Sequence, residues 1–356
     1  MNNKKITIEF SLLVLISIIS CISFFNDAQS QLQSPFMVST RDVIDNETGN
    51  ESQAINTIFE DVPSLLNLNG NNCPGEIAIY IHGIWATPEE AEEQTDRVYL
   101  SLQDINYEIP VIGFSWSSDT AFSLDDPILS EQGWDLAKII ANKNGPLLAK
   151  FINGYKEICP SDEIRLIAHS LGSRVTLSAL QSLYNDNKYL IIDSVHLLGA
   201  AVDNEQISLD SLDCVNNIPK LECSGDAINA TTRVFFNLYN KEDNMLTPFY
   251  SGIDGPYPYK DSENDDALGG FGKELEISSP PNYNQENVQY YIPSHFNVDY
   301  EDANGDRKCD IPFGQICPIG FKGDNHMGYM GFRDSNGRII DRGAMEVVVD
   351  NWENIQ

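Results

Sequence analysis

Ala168-His169-Ser170-Leu171-Gly172 lies between an apolar run, Ile164–Ala168, and an amphipathic stretch, Leu171–Leu183. A serine with a small residue two places to either side, at a strand-to-helix junction, is the pattern of an exposed nucleophile. It fits G-x-S-x-G with alanine in the first place. The small residues allow a tight reversal of the chain. That reversal lifts Ser170 clear of the sheet edge. It also aims the Leu171 amide and the helix N-terminus at the place where negative charge would develop on an attacked carbonyl oxygen. A hydroxyl is a weak nucleophile until a base takes its proton. The chain offers five histidines, and its 53 acidic residues make a partner for the base easy to supply.

The elements needed to hold such a group can be read from periodicity. Ile77–His82 is a continuous apolar run, as expected of a strand buried on both faces. Thr87-Pro88-Glu89-Glu90 starts a helix: threonine caps it, proline suits its first turn, and the acids suit its positive end. Pro110–Trp116, Ile164–Ala168, Leu190–Leu198 and Val234–Leu238 read as further strands, with a weaker one at Asn287–Ile292. Gly133–Tyr155, Leu171–Leu183 and Ala344–Trp352 read as helices. Strands alternating with helices predict a mainly parallel sheet with helices on both faces. Residues 31–72 are polar and without periodicity, and read as an arm or linker before a domain spanning 73–356.

Three motifs, His82-Gly83, Phe114-Ser115-Trp116 and Ala168 to Gly172, carry a family resemblance over roughly residues 73–350. The chain resembles an α/β-hydrolase of the lipase and esterase type, in a poorly characterised branch. The resemblance implies the α/β-hydrolase fold. The length and Gly/Pro content of residues 244–325 read as a long, substrate-shaping insertion before the catalytic histidine. It implies a second oxyanion amide from Ile84, beside that of Leu171. His82 is expected to brace its loop. His169 is expected to be structural and to point away from the elbow. The acid and base follow the serine in the order Ser, Asp, His. Asp243, after the strand VFFNLYN, occupies the usual place of the acid, and Asp203, after the preceding strand, is the alternative. His326, followed shortly by Tyr329, resembles the family's base, and His295 is the reserve.

The implied activity is that of a secreted serine hydrolase acting on small-molecule or lipid carboxylic esters through an acyl-enzyme, with no cofactor required. A peptidase or acyltransferase on the same fold is the alternative, and a non-catalytic surface binding protein is another.

A second constellation invites a cation. Asp302, Asn304, Asp306 and Asp310 place oxygen donors at positions one, three, five and nine, like the start of a calcium loop. Arg307 stands where that loop needs glycine, and Phe313 where it needs a ligand, so a solvated acidic turn is the competing reading.

The net charge of −31 opposes binding to nucleic-acid phosphates or anionic lipid. Residues 254–310 hold 13 acidic against 4 basic residues, and so concentrate that charge ahead of His326. At the N-terminus, Lys4 and Lys5, the apolar run Phe10–Phe25 and Ala28-Gln29-Ser30 read as a signal peptide over residues 1–30. A retained anchor and a lipid on Cys21 are the alternatives, and membrane contact is expected only there. The expected location is secreted or at the cell surface. Removing Cys21 leaves six cysteines, an even number suited to an oxidising compartment. Cys73 and Cys159 each introduce a strand at similar distance, and the other four bracket short loops. The expected pairs are Cys73–Cys159, Cys214–Cys223 and Cys309–Cys317. Asn46, Asn50 and Asn229 head glycosylation sequons.

Overall fold

A computed structural model describes residues 35–51, 72–121, 127–215, 219–243, 245–246, 266–292, 325–333 and 338–354, with backbone alone for 127–131. Seven parallel strands form its sheet: β1 (Phe36–Ser39), β2 (Glu76–Ile81), β3 (Val111–Ser115), β4 (Glu163–His169), β5 (Ile192–Leu198), β6 (Thr232–Tyr239) and β7 (Tyr283–Asn287). Their order is β1-β3-β2-β4-β5-β6-β7. The helices are α1 (Pro88–Asp104), α2 (Pro127–Ile158), α3 (Gly172–Asn185), α4 (Gly225–Thr231), α5 (Leu268–Phe271) and α6 (Met345–Glu353). A short 3-10 turn, Met327–Met330, precedes a small antiparallel pair, β8 (Phe332–Arg333) and β9 (Ile339–Asp341).

The alternation of side chains along β2 shows why its sequence is apolar throughout. Ile77, Ile79 and Ile81 enter one core with residues of α2, α3 and α4. Ala78 and Tyr80 enter a second core with residues of α1, α6 and the 3-10 turn. A parallel strand covered on both faces has no solvent side on which to place polar residues. Thr87 and Glu90 make the expected reciprocal cap of α1: the Thr87 hydroxyl accepts from the Glu90 amide, and the Glu90 carboxylate accepts from the Thr87 amide.

Helix α2 runs farther in both directions than its apolar spacing predicts and contains Pro146. Proline has no amide hydrogen for the carbonyl four residues before it, that of Asn142. The Ser178 hydroxyl of α3 donates to that carbonyl at 2.7 Å. A side chain on the neighbouring helix thus satisfies the group that proline orphans.

Two strands depart from the sequence reading. Phe36–Ser39, inside the supposed arm, pairs with β3 in register from Phe36↔Ile112 to Ser39↔Ser115. The seventh strand is Tyr283–Asn287, ahead of the expected Asn287–Ile292, and lies within the supposed insertion. Both are short and end the sheet, so pairing with one neighbour defines them better than any apolar pattern. Cys73–Cys159 and Cys214–Cys223 are bonded. The first links the approaches to β2 and β4, at the end of the sheet opposite Ser170. Cys309–Cys317, His295 and the acidic loop at 302–310 lie outside the described residues. No helix among the described residues is long and apolar enough to cross a membrane.

His196 of β5 is fully buried, stacked on Phe236 with ring centroids 4.8 Å apart, and neither ring nitrogen has a partner among the described residues. Burial, and then the nearby Arg165 charge, push its pKa down to about 3.

Two measurements follow from these contacts. Ser178→Ala should lower stability in urea unfolding by about 1–3 kcal/mol, the cost of an unsatisfied carbonyl; no loss would show that the Asn142 carbonyl is satisfied otherwise. The unfolded chain takes a proton on His196 below about pH 6.5, while the native chain does not until about pH 3. Native stability from this site is therefore complete above pH 6.5 and falls as pH drops, by about 1.4 kcal/mol per pH unit. His196→Phe should remove that slope, and equal slopes in the two proteins would contradict the buried neutral ring.

Candidate active site

Parallel strands deliver their C-terminal ends to one edge, and the loops that leave that edge carry the candidate residues. Ser170 follows β4 and has a φ of 52°, in the left-handed region that a residue with a side chain seldom adopts. Its amide donates to the Leu198 carbonyl at 3.0 Å, which pins the turn to β5. Gly172 explains the small residue after the serine. A Cβ there would stand 2.4 Å from the Ile81 carbonyl oxygen and 2.6 Å from that of His82. Helix α3 can begin only where no side chain separates it from the end of β2. Gly83 is also confined: a Cβ there would be 2.9 Å from the Ser170 Cβ.

The loop after β2 is fastened by the residues after β3, which accounts for two motifs at once. The Trp116 amide donates to His82 Nε2 at 3.1 Å, and the Trp116 indole donates to the His82 carbonyl at 2.9 Å. His82 therefore carries its proton on Nδ1 and donates it to the Gly83 carbonyl at 2.8 Å. Burial, and then Arg41, lower its pKa to about 3, so His82 is a neutral brace. Arg41 and the Ser118 hydroxyl both donate to the Ala86 carbonyl, and the Trp85 amide donates to the Ser118 carbonyl at 2.8 Å. Trp85 has a φ of 55°, so strain is held here as well as at Ser170. The amides of Ser170 and Trp85 are engaged within these turns, and the expected oxyanion donors, Leu171 and Ile84, are their immediate chain neighbours. Leu171 opens α3, and Ile84 is half-buried.

Asp243 and His326 meet, though 83 residues separate them: His326 Nδ1 donates to Asp243 Oδ2 at 2.7 Å. Asp243 is fully buried, and its other oxygen accepts from the amides of Met245 at 3.0 Å and Leu246 at 2.9 Å. These bonds hold the carboxylate aimed at the imidazole. Because Nδ1 of His326 carries the proton toward Asp243, Nε2 is the basic nitrogen. The Asn325 side-chain amide donates to the Glu242 carbonyl, so the loops bearing His326 and Asp243 are joined a second time. Arg97 of α1 donates to the carbonyls of Met327 and Gly331, and the Ser101 hydroxyl to that of Met330. Tyr329 is buried beside them; burial first and the Asp243 carboxylate second raise its phenol well above the usual value, so it stays protonated.

Asp203, the alternative acid, lies past the end of β5 in an isolated bridge to Ala267. Asp243 is the carboxylate placed on His326. His169 differs from expectation. It does not turn away from the elbow region: its Nε2 donates to the main-chain carbonyl of His326 at 2.8 Å. Burial, and then the adjacent His326, hold its pKa well below the usual value. Neither this contact nor the Arg97 anchors left a signal in the spacing of residues, since the partners are far apart in the chain.

A family described as "Alpha/beta hydrolase of unknown function (DUF900)" matches residues 67–245, just over half of the chain. No curated protein matches. Among solved structures, the lipase B of Aspergillus fumigatus is similar at 11% identity and a TM-score of 0.34, over 75% of this chain and 57% of that one. An iodinated complex of an acetyl xylan esterase is similar at 13% identity and a TM-score of 0.29, over 60% of this chain and 81% of the other. The chain thus spans little more than half the length of the lipase. The matched region contains β2 to β6, the loop of Ile84, the turn of Ser170 and Asp243. The chain belongs to this family of α/β hydrolases of unknown function.

Proposed function

We propose that the protein is a secreted serine hydrolase that cleaves carboxylic esters through an acyl-enzyme. The observation that carries this reading is the His326–Asp243 bond at 2.7 Å, at the sheet edge from which Ser170 projects on a strained elbow. In the proposed mechanism, His326 Nε2 takes the Ser170 proton as Oγ attacks the ester carbonyl carbon. Asp243 holds the ring and balances the imidazolium that results. The amides of Leu171 and Ile84 receive the negative charge on the carbonyl oxygen. As the tetrahedral species collapses, the ester C–O bond breaks and His326 returns the proton to the departing alcohol. Water, activated by the same nitrogen, then releases the acid and restores Ser170.

Each chemical role falls to a residue whose environment fits it. The proposed base is fixed in one tautomer, the proposed acid is buried and hydrogen-bonded through both oxygens, and the neighbouring histidines His82 and His169 are neutral. The substrate class is a small-molecule or lipid ester. Export from the cytosol is supported by the two disulfides, which persist in oxidising compartments.

Turnover of p-nitrophenyl acetate tests the proposal. Ser170→Ala and Asp243→Asn should each lower kcat by about 10⁴-fold, while Asp203→Asn stays within a few-fold of the parent. Full activity in Ser170→Ala would reject the nucleophile. Loss in Asp203→Asn with retention in Asp243→Asn would reject the acid.

A further inference from the structure

His169 is adjacent in sequence to the proposed nucleophile and 157 residues from the proposed base, yet its ring reaches the base's main chain. Its Nε2 lies 2.8 Å from the His326 carbonyl oxygen, and the two rings are 4.7 Å apart. A carbonyl only accepts, so Nε2 carries the hydrogen. The other ring nitrogen, Nδ1, is buried without a partner among the described residues, and the whole side chain is 2% exposed. Every polar contact of this ring thus goes to the residue that bears the base.

We propose that His169 is a positioning residue: by donating to the His326 carbonyl, it ties the nucleophile's own elbow to the base that must serve it. The proposal rests on the reading of Ser170, His326 and Asp243 given above. Asp243 fixes the His326 ring through Nδ1. His169 fixes the main chain that carries the ring. Because His169 and Ser170 are consecutive, a shift of the elbow carries the anchor of the base with it, and the nucleophile-to-base distance is conserved. Proton transfer depends steeply on that distance, and a displacement near 1 Å costs about 10²-fold.

Its burial matters as well. A second imidazolium beside His326 would oppose the charge that His326 acquires on taking the Ser170 proton. Burial keeps His169 neutral, so it contributes a hydrogen bond and no competing charge.

The two properties of the ring, its shape and its donor, can be separated. His169→Phe keeps the shape without the donor. His169→Gln keeps a donor of similar reach without the ring. The measurements are kcat and KM for p-nitrophenyl acetate, the rate of labelling by a fluorophosphonate probe, and thermal melting. His169→Phe should lower kcat and the labelling rate together by about 10–100-fold, with KM within about twofold. His169→Gln should stay within about threefold of the parent. Parental rates in His169→Phe, or a folded His169→Gln as slow as His169→Phe, would overturn the proposal. If His169→Phe does not melt cooperatively, His169→Gln decides: near-parental kcat supports the positioning role and a loss of about tenfold or more refutes it. A parent protein that neither turns over ester nor takes the label refutes the hydrolase reading itself, whereas a labelled parent with indifferent His169 variants refutes only the positioning role.

Discussion

The contact on which the site depends is the approach of Gly172 to the carbonyl oxygens of Ile81 and His82, closer than any side chain would permit. It sets helix α3 against the end of strand β2 and leaves too little room for a relaxed turn after β4. Ser170 absorbs the difference with a φ of 52°. Such a conformation costs roughly 1–3 kcal/mol and persists only where the surroundings over-determine it. Here the surroundings are two neighbouring strands, the bond from the Ser170 amide to Leu198, and a helix with an apolar face buried in the core.

The rest of the site is brought to that fixed point by bonds between distant segments. The loop of Ile84 is held by Trp116, Ser118 and Arg41. The loop of His326 is held by Asp243, Asn325, Arg97, Ser101 and His169. Asp243 accepts from the His326 ring; each of the others supplies a donor to a main-chain carbonyl, which is a stringent constraint because an unmet carbonyl in a dry interior is costly. Three histidines, at 82, 169 and 196, are buried and neutral, while the fourth described histidine, His326, faces a carboxylate. Environment, more than residue type, distinguishes brace from base.

The sequence was most legible where a feature depends on local spacing. The nucleophile elbow, the capped start of α1, the apolar strands β2 to β6 and the pairs Cys73–Cys159 and Cys214–Cys223 all follow from residues near one another or from repeated strand starts. Asp243 and His326 were reached through their order after Ser170 and their positions relative to strands. Features made by distant partners were not legible. The edge strands β1 and β7 take their identity from pairing, not from composition. The Ser178 hydroxyl answers a proline on another helix. His169 was expected to face away because nothing near it in the chain indicates a partner at residue 326. The family match covers Ser170 and Asp243 and ends before His326, whose proposed role rests on its order in the chain and on its bond to Asp243.

The central claim is that Ser170 is the nucleophile of a hydrolase site completed by His326 and Asp243. It is tested most directly by identifying the residue that a fluorophosphonate probe modifies, through tandem mass spectrometry of the digested adduct. The account predicts a single phosphonylated residue, Ser170, with modification lost when His326 is replaced by alanine. Label on another residue, or undiminished label at Ser170 without His326, would contradict it.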